Sequence, residues 1–431
     1  MKTHFRPLQA VLVMLAMFAA ACGGGGTAST TPTPSGPPVS LTFSSYAFQP
    51  KTVAANKKIV ETWNKANPNI QVQFIQVDPN SVHDKLVTQF QGGTAPDIIY
   101  DEAADLGGFA KQGFLADLTP LVSSSLKNDV PKGIWDTVTF NNKIVAAPTL
   151  LQTYNVFANK AALSAGGVTA PTIDKPWTWD EFASNSKKLT TGGKFGLAWG
   201  LKYPTATVMS MALNYNGKFF YDESGKTVAK FGTPEQQVVR RIHDMAYTDK
   251  SLDPVSLTQG GGDVIPGFFA GKYAMIVGGN YLRQNMVEQA PSGFQWAMLP
   301  LLKGDSAAQN ANPQTLSISA QSPHKKEAMK FIEYFMQGPN LAEVALGDWL
   351  APTTTSAGKS VVSISGGANG WDVTAAASKD LALAPFQKLD NYPQWKSQIA
   401  TPGFQQYFQN KIDLSALGQK LTTGWQTVNG G

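Results

Sequence analysis

An α/β fold with a mainly parallel sheet is what this sequence predicts, on three observations. From Leu41 onward, short β-branched and aromatic runs alternate with stretches whose apolar residues recur at helical spacing, the order that gives parallel strands covered by helices. The 431 residues exceed what one simple core fills, so two domains are expected at roughly 150 residues each. Hydrophobic residues make up 42% and charged residues 15%, well below the usual ~25% charged. The surface must therefore rely on Asn, Gln, Ser and Thr, and a charge-driven disordered chain is excluded.

The first forty residues read as an address. Lys2 and Arg6 precede an apolar run from Leu8 to Ala21 that is short for a bilayer span. Small residues Ala19, Ala20 and Ala21 lead to Cys22, the one cysteine of the chain. This is the pattern of a secretory signal peptide over 1–21. Its end resembles a bacterial lipobox, with Ala19 where Leu is usual. Cys22 is expected to carry a diacylglyceryl thioether that holds the protein by acyl burial. The other reading is an ordinary signal peptide cleaved near an alanine, with Cys22 incidental. A single cysteine excludes an intramolecular disulfide and a Cys-based zinc site. Residues 22–40 then form a lipidated cysteine and a Gly/Ser/Thr/Pro tether, with Thr31-Pro32-Thr33-Pro34 and Pro37-Pro38, too poor in apolar residues for a core.

Leu41-Thr42-Phe43 begins the first strand. Val53, Ile59, Val60 and Trp63 share a helical face, and Asn67-Pro68-Asn69 ends that helix. Val72 to Val77 is a second strand, the stretch around Leu86, Val87 and Phe90 a second helix, and Gly92-Gly93 breaks it before the buried strand Ile98-Ile99-Tyr100. Thr178-Trp179-Asp180-Glu181 is a capping box, with Trp177 and Phe182 placed as its hydrophobic staple. Thr233-Pro234-Glu235-Gln236 reads as another box, with Pro at the first helical position and Val238, Ile242 and Met245 on one face. Ser322-Pro323 opens a helix with an apolar stripe of Ala328, Phe331, Ile332 and Phe335.

Net charge is +5; without Lys2 and Arg6 the 35 basic residues become 33 against 30 acidic, a net +3. The doublets Lys57-Lys58, Lys187-Lys188, Arg240-Arg241 and Lys325-Lys326 are scattered, so they read as solvated helix faces and no nucleic-acid partner is expected. His4, His83, His243 and His324 have no metal-ligand spacing, and no Gly-x-Ser-x-Gly elbow is present. Gly260-Gly261-Gly262 lacks the Lys-Ser/Thr of a phosphate loop. No cofactor is expected.

Several segments occur in a telling order. A strand from Leu41 to Tyr46 precedes a helix ending Trp63-Asn64-Lys65-Ala66-Asn67-Pro68. Then come Gly93-Thr94-Ala95-Pro96-Asp97-Ile98-Ile99-Tyr100 and Lys143-Ile144-Val145-Ala146-Ala147-Pro148. Tyr154 to Lys160, Pro176 to Phe182, Phe268 to Met275, Met298-Leu299-Pro300 and the Ser322 helix complete the series. From Leu41 to the C-terminus the chain resembles the family 1 extracellular solute-binding proteins of bacterial ABC importers, of the maltose-binding-protein-like, carbohydrate type.

The resemblance implies a two-lobed, periplasmic-binding-protein-like (type II) fold with a hinge of crossing strands. Lobe 1 is expected at 41–148 plus 319–349 and lobe 2 at 149–317 plus 350–431. Crossings are expected just after Pro148, near Leu316 to Ala320 and near Trp349 to Thr354. It further implies capture of a mono- or oligosaccharide by hinge closure, delivery to ABC transporter permease subunits, a monomer, and a place on the extracytoplasmic face of the cell membrane.

A sugar offers apolar C–H faces and a rim of hydroxyls, so its binder needs aromatic planes and convergent polar groups. The family pattern, carried onto this chain, assigns Ser44, Ser45, Tyr46 and Phe48 after the first strand, and Asp101 and Glu102 after the third. Leu151, Gln152 and Tyr154 come at the first crossing. Trp199, Gly279, Asn280, Tyr281 and Arg283 come from lobe 2, and Asp348 and Trp349 from the third crossing. Trp199 is expected to give the sugar an apolar face, opposite hydroxyl-accepting Asp101. Each residue also has a structural reading: Tyr46 and Phe48 as core, Asp101 and Glu102 as caps of the next helix. Arg283 stands where the family has a second aromatic, which keeps a uronate or phosphate ester open as ligand. A secreted carbohydrate-active hydrolase is the competing function. It needs two carboxylates across a scissile bond, and adjacent Asp101 and Glu102 on an extended segment point to opposite faces.

Overall fold

The computed structural model describes residues 38–78 and 81–429. The signal peptide, Cys22 and the tether as far as Pro37 lie outside the described residues. Strand β1 (Val39–Ser45), helix α1 (Pro50–Ala66), β2 (Ile70–Gln76), α2 (Val82–Gln91), β3 (Ile98–Glu102) and α3 (Ala103–Lys111) lead to β4 (Ala146–Leu151). A second set follows: β5 (Tyr154–Asn159), α4 (Trp179–Lys188), β6 (Phe195–Trp199), α5 (Pro204–Ala212), α6 (Thr233–Tyr247), β7 (Tyr273–Gly279) and β8 (Trp296–Met298). The chain returns to the first sheet as β9 (Pro313–Ile318), with α7 (Lys325–Phe335), α8 (Gly338–Asp348), β10 (Ala351–Pro352), α9 (Thr355–Ser365) and α10 (Trp371–Ala377). It ends in α11 (Thr401–Phe408) and α12 (Leu414–Val428).

Two sheets organise two lobes. The first has the order β10-β4-β9-β3-β1-β2, and the second β8-β5-β7-β6. In the first, β1 runs parallel to β2 and β3, while β9 runs antiparallel to β3 and β4. In the second, β6 and β7 are parallel and β5 and β8 antiparallel to their neighbours. Phe43 of β1 is fully buried and meets Phe74, Tyr100, Phe331 and Phe335 at ring separations of 5.6–6.5 Å. Four ring contacts on one strand residue show how helix α7, with its apolar stripe inward, closes this core. Helix α1 buries Ile59, Val60 and Trp63 and stops at Asn67, whose side chain donates to the Trp63 carbonyl at 2.9 Å.

The box at Thr178 forms as its sequence requires. The Thr178 hydroxyl accepts from the Glu181 N–H at 3.1 Å and Glu181 accepts from the Thr178 N–H at 2.8 Å. The box expected at Thr233 is displaced by one residue. Gly232 is the cap, its N–H bonded to Glu235 at 2.9 Å, so Thr233 is the first helical residue and Pro234 the second. Glu235 reaches the position three residues ahead of it, and that position is a glycine.

The passages between lobes fall elsewhere than expected. Leu150 and Leu151 pack in the first core, and Val156 opens the second. The return is complete by Ala311, not at 316–320, because β9 already pairs with β3 and β4 from its start. Ala357, Val361, Trp371 and Leu381 also belong to the first core, whereas Ala384 and Phe386 belong to the second. The last passage between the two cores therefore lies between Leu381 and Ala384, although Val373 already packs with Phe157, Tyr273 and Met298 of the second lobe. An apolar helical stripe dictates burial but does not say against which core.

Trp199 is a further correction. It is buried in the core of the second lobe, stacked on Trp179 at 6.3 Å and 19°. Its backbone N–H donates to the Ser256 hydroxyl at 2.9 Å. Strand β6 is covered on both faces, so Gly196 through Trp199 are all buried. Contact with α4 is so close that a Cβ at Gly196 would lie 1.8 Å from the Ser186 carbonyl. Trp199 thus fills a core and offers no face to a ligand. Trp199→Ala should lower stability by about 3–5 kcal/mol in urea denaturation, without changing ligand affinity per folded molecule. Normal stability with lost affinity would return it to the site.

Candidate functional site

The topology brings particular chain ends together. Both β3 and β4 are antiparallel to β9, so β1, β3 and β4 end at the same edge of the first sheet. Only Gln152 and Thr153 separate β4 from β5. That edge therefore abuts the edge of the second sheet where β5 begins. Gly279 pairs with Tyr154, so β7 ends there, and β6 ends beside it. The loops after β1, β3, β6 and β7 surround one junction, the ends of parallel strands where ligand crevices form.

A cavity of about 780 Å³ opens at this junction. The first lobe contributes His83, Glu102, Lys111 and Gln112. Gln152, Tyr154, Asn310 and Asn312 line it from the connecting segments. The second lobe adds Ser210 and the segment from Phe386 to Lys396. Five of these side chains are amides, counting Gln387, and Tyr154, Phe386 and Tyr392 supply rings. Burial pushes the Tyr154 phenol up to about 12, against bonds to Thr207 and Gln152 that favour its ionisation, so it is a neutral donor and acceptor. Burial also raises Tyr392, with Tyr154 nearby adding to the shift.

Of the residues singled out from sequence, Glu102, Gln152 and Tyr154 line the cavity. Tyr281 is 39% exposed and sits over Gly279, where a Cβ would lie 2.2 Å from its ring and 3.2 Å from the Gln152 amide. Glycine at 279 is what lets Tyr281 and Gln152 lie side by side. Phe48, after β1, is 65% exposed.

Several others are held inside the lobes. Ser44 and Ser45 are buried, and the Ser45 hydroxyl accepts from Asn56 at 3.0 Å. Tyr46 packs edge-on to Tyr100 at 5.4 Å. Burial pushes its phenol well up, helped by Tyr100 and the Glu102, Asp348 and Asp101 carboxylates. Asp101 is buried and accepts the Glu102 N–H at 2.9 Å, while exposed Glu102 takes the cavity side. Alternation along an extended segment separates the two carboxylates. Asp348 is buried, accepting from Thr52 at 2.7 Å and Gln314 at 2.9 Å, and burial raises its pKa. Asn280 spends its side chain on the Leu151 carbonyl at 3.2 Å. Arg283 and Trp349 are buried together, the Arg283 guanidinium donating to the Trp349 carbonyl at 2.6 Å. These side chains are buried and bonded within the lobes, although Tyr46 OH, Asn280 Oδ1 and Arg283 Nη1 keep no hydrogen-bond partner among the described residues; burial is what strand-end position alone does not reveal.

Sequence reasoning missed two features near the junction. One is the exposed ring of Tyr203, 71% exposed in the loop after β6 beyond the cavity lining, as Phe48 is exposed in the loop after β1; Lys202-Tyr203-Pro204 between strand and helix was the available signal. The segment 385–396 was legible only through Tyr392 and Trp395, which read either as extending the cleft or as packing the C-terminal helices; the tertiary fold lays the segment across the junction, with Tyr392 on the cavity. There Lys111 of α3 pairs with Asp390 at 2.6 Å, and Lys388 donates to the Thr139 carbonyl beside the Phe140 ring. Lys111 and Asp390 are exposed, so their pair is worth about 0–1 kcal/mol. Burial lowers the Lys388 pKa. Among the described residues, the carboxylates lining the cavity are Glu102 and Asp390, and Asp390 is engaged with Lys111. No group of three or more His, Cys, Asp or Glu among the described residues is placed to hold a metal.

Known proteins share this architecture and sequence. The model of the bacterial extracellular solute-binding protein family matches residues 49–337. A Streptomyces antibioticus protein, described as an uncharacterized lipoprotein in the oleD 5′ region, is 40% identical over 418 residues, 96% of this chain and 90% of that protein. The multiple sugar-binding protein of Streptococcus mutans is 25% identical over 308 residues, 67% of this chain and 70% of its own. The solved sugar-binding protein MalE of Xanthomonas citri superposes with a TM-score of 0.78 at 20% identity, covering 90% of this chain and 97% of its own. The fold is thus the two-lobed one of MalE, and the chain belongs to the family of bacterial extracellular solute-binding proteins.

Proposed function

We propose that this protein captures a carbohydrate between its two lobes and delivers it to the permease of an ABC transporter. The observation that carries this reading is the cavity at the lobe junction. Its amide side chains offer both donors and acceptors, which suits hydroxyls better than a fixed charge does. The rings of Tyr154, Tyr281, Phe48 and Tyr203, from both lobes, suit the apolar faces of pyranose rings. The names of the relatives, a multiple sugar-binding protein and MalE, point the same way. The case for an anionic ligand rested on Arg283, and that guanidinium is buried and engaged elsewhere. A hydrolase needs two carboxylates facing one bond; of the adjacent pair, Glu102 lines the cavity and Asp101 is turned into the lobe.

Binding is tested by thermal shift across neutral mono- and oligosaccharides, sugar acids and sugar phosphates. A carbohydrate present at 100 times its Kd should stabilise by about 2.7 kcal/mol and be recovered uncleaved. Release of products would favour the hydrolase, and a response to sugar phosphates alone would reject the neutral-sugar reading. Gln152→Ala, Phe48→Ala and Tyr203→Ala should each weaken calorimetric affinity about tenfold, roughly 1.4 kcal/mol. Their ligand-free melting curves should stay close to that of the wild type, since these side chains do not fill a core. Melting loss without affinity loss at all three would dismiss this surface as the site.

Lipid anchoring at Cys22 is also proposed. It is supported by the leader pattern and by the lipoprotein description of the Streptomyces antibioticus relative. No helix among the described residues is long and apolar enough to cross a membrane. Cys22→Ser should move the protein from the membrane to the soluble fraction, and wild-type protein extracted from membranes should carry the acyl mass on residue 22. Unchanged fractionation of the serine variant would refute the anchor.

A further inference from the structure

Arg283 is the most unusual buried group in the molecule. Its side chain is fully buried, and among the described residues its Nη1 has no hydrogen-bond partner. Its Nε donates to the Asn280 carbonyl at 2.9 Å and its Nη2 to the Trp349 carbonyl at 2.6 Å. The guanidinium carbon lies 3.7 Å from the centre of the Trp371 ring and 5.7 Å from that of Trp349. The two indoles are stacked at 5.8 Å and 17°. Burial pushes the guanidinium down to about 9, so it remains a cation at neutral pH.

Burying an unpaired cation is costly, and an apolar side chain of the same length would fill the space more cheaply. Three features offset the cost. A desolvated guanidinium on an indole face gains from the ring quadrupole. The bond to the Trp349 carbonyl is charge-assisted. That carbonyl ends the 11-residue helix α8, whose C-terminus is the negative pole of its dipole. Trp349 takes a left-handed backbone, φ 58°, an uncommon conformation for a bulky residue, and with it the carbonyl meets the cation.

The compensation comes from across the lobe boundary. Arg283 follows β7 of the second lobe, whereas Trp349 and Trp371 are buried in the first core. The same short turn makes two more ties to the connecting segment. The Asn280 N–H donates to the Thr153 carbonyl at 2.8 Å, and the Asn280 amide to the Leu151 carbonyl at 3.2 Å. One turn of the second lobe therefore holds both the first passage, at 151–153, and the segment at 349. A flat cation on a flat ring can turn in its plane without opening a void, which interlocked aliphatic side chains cannot do.

We propose that Arg283 is a positioning residue for ligand capture: seated on Trp371 and the Trp349 carbonyl, it is the pivot that fixes how the second lobe is held against the first. This rests on the closure reading above. It gives Arg283 a mechanical role in place of the ligand contact expected from sequence.

The test uses ligand-free, full-length protein and the variants Arg283→Met, Arg283→Lys and Trp371→Phe. In Arg283→Met, hydrogen exchange of the Asn280 amide should rise at least tenfold while amides of β1 and β7 keep their protection. Small-angle scattering of the same protein should show a larger radius of gyration. Arg283→Lys keeps the charge but not the fork and should fall between; Trp371→Phe keeps a ring and should stay near the wild type. Exchange rising uniformly in both lobes with unchanged scattering would make Arg283 a packing residue and overturn the proposal, as would no change in either measurement. If Arg283→Met fails to fold, the same two outcomes are read from Arg283→Lys. No ligand enters these measurements, so failure of the carbohydrate reading would appear only in the binding experiments and failure of the pivot only here.

Discussion

Two residues, Gln152 and Thr153, are all that separates the last turn of one sheet's strand from the first residue of the other's. So short a link cannot let the sheets drift apart, since a residue spans at most ~3.6 Å. The pairing of β9 with β4 and β3, and of β7 with β5, then decides which strand ends face each other. The cavity, its amide lining and the exposed rings after β1 and β6 all follow from that junction. Were β4 and β5 joined by a long loop, none of the strand ends would be obliged to meet.

The two lobes are tightly packed for different local reasons. The first closes around Phe43 and the aromatic residues of α7; the second packs Trp179 on Trp199 and Phe220 on Trp395 and Trp425. Close-packed interiors of this kind resist deformation. Hinge closure, as proposed above, would act at the passages between the two cores, at 151–156, 302–311 and 381–384. A ligand held between the lobes draws on contacts made by both at once, and the lining it meets is polar, with five amides beside Glu102, Asp390, Lys111, Lys388 and Lys396.

The low share of charged residues has a counterpart in the polar interior. Thr42, Asp97 and Ser322 are bonded together beneath the first sheet, with Asp97 accepting the Thr42 N–H at 2.8 Å and the Ser322 hydroxyl at 2.6 Å. Asp348, Thr52 and Gln314 form a second such group. The second network consumes the Asp348 carboxylate, which the family pattern assigned to the ligand. Satisfied polar groups of this kind order the lobes, and they explain why acidity near a strand end is a poor guide to the cleft.

The sequence by itself determined the α/β class, strands beginning near Leu41, Val72 and Ile98, the capping box at Thr178 and the inward stripe of α7. Each depends on spacing within a few residues, where periodicity and cap chemistry are decisive. Gln152 and Tyr154 came from the family resemblance, not from local pattern, and the structure lines the cavity with both. What only the tertiary structure decided was the far side of each residue. Trp199 and Phe48 both stand at or just beyond strand ends, yet one is buried by α4 and the other is exposed. Arg283 looked like a ligand contact until indoles from positions 349 and 371 enclosed it. The wall at 385–396 and the late passage at 381–384 were settled only in the tertiary structure for the same reason: partners hundreds of residues apart in the chain settle burial, and a local pattern carries no record of them.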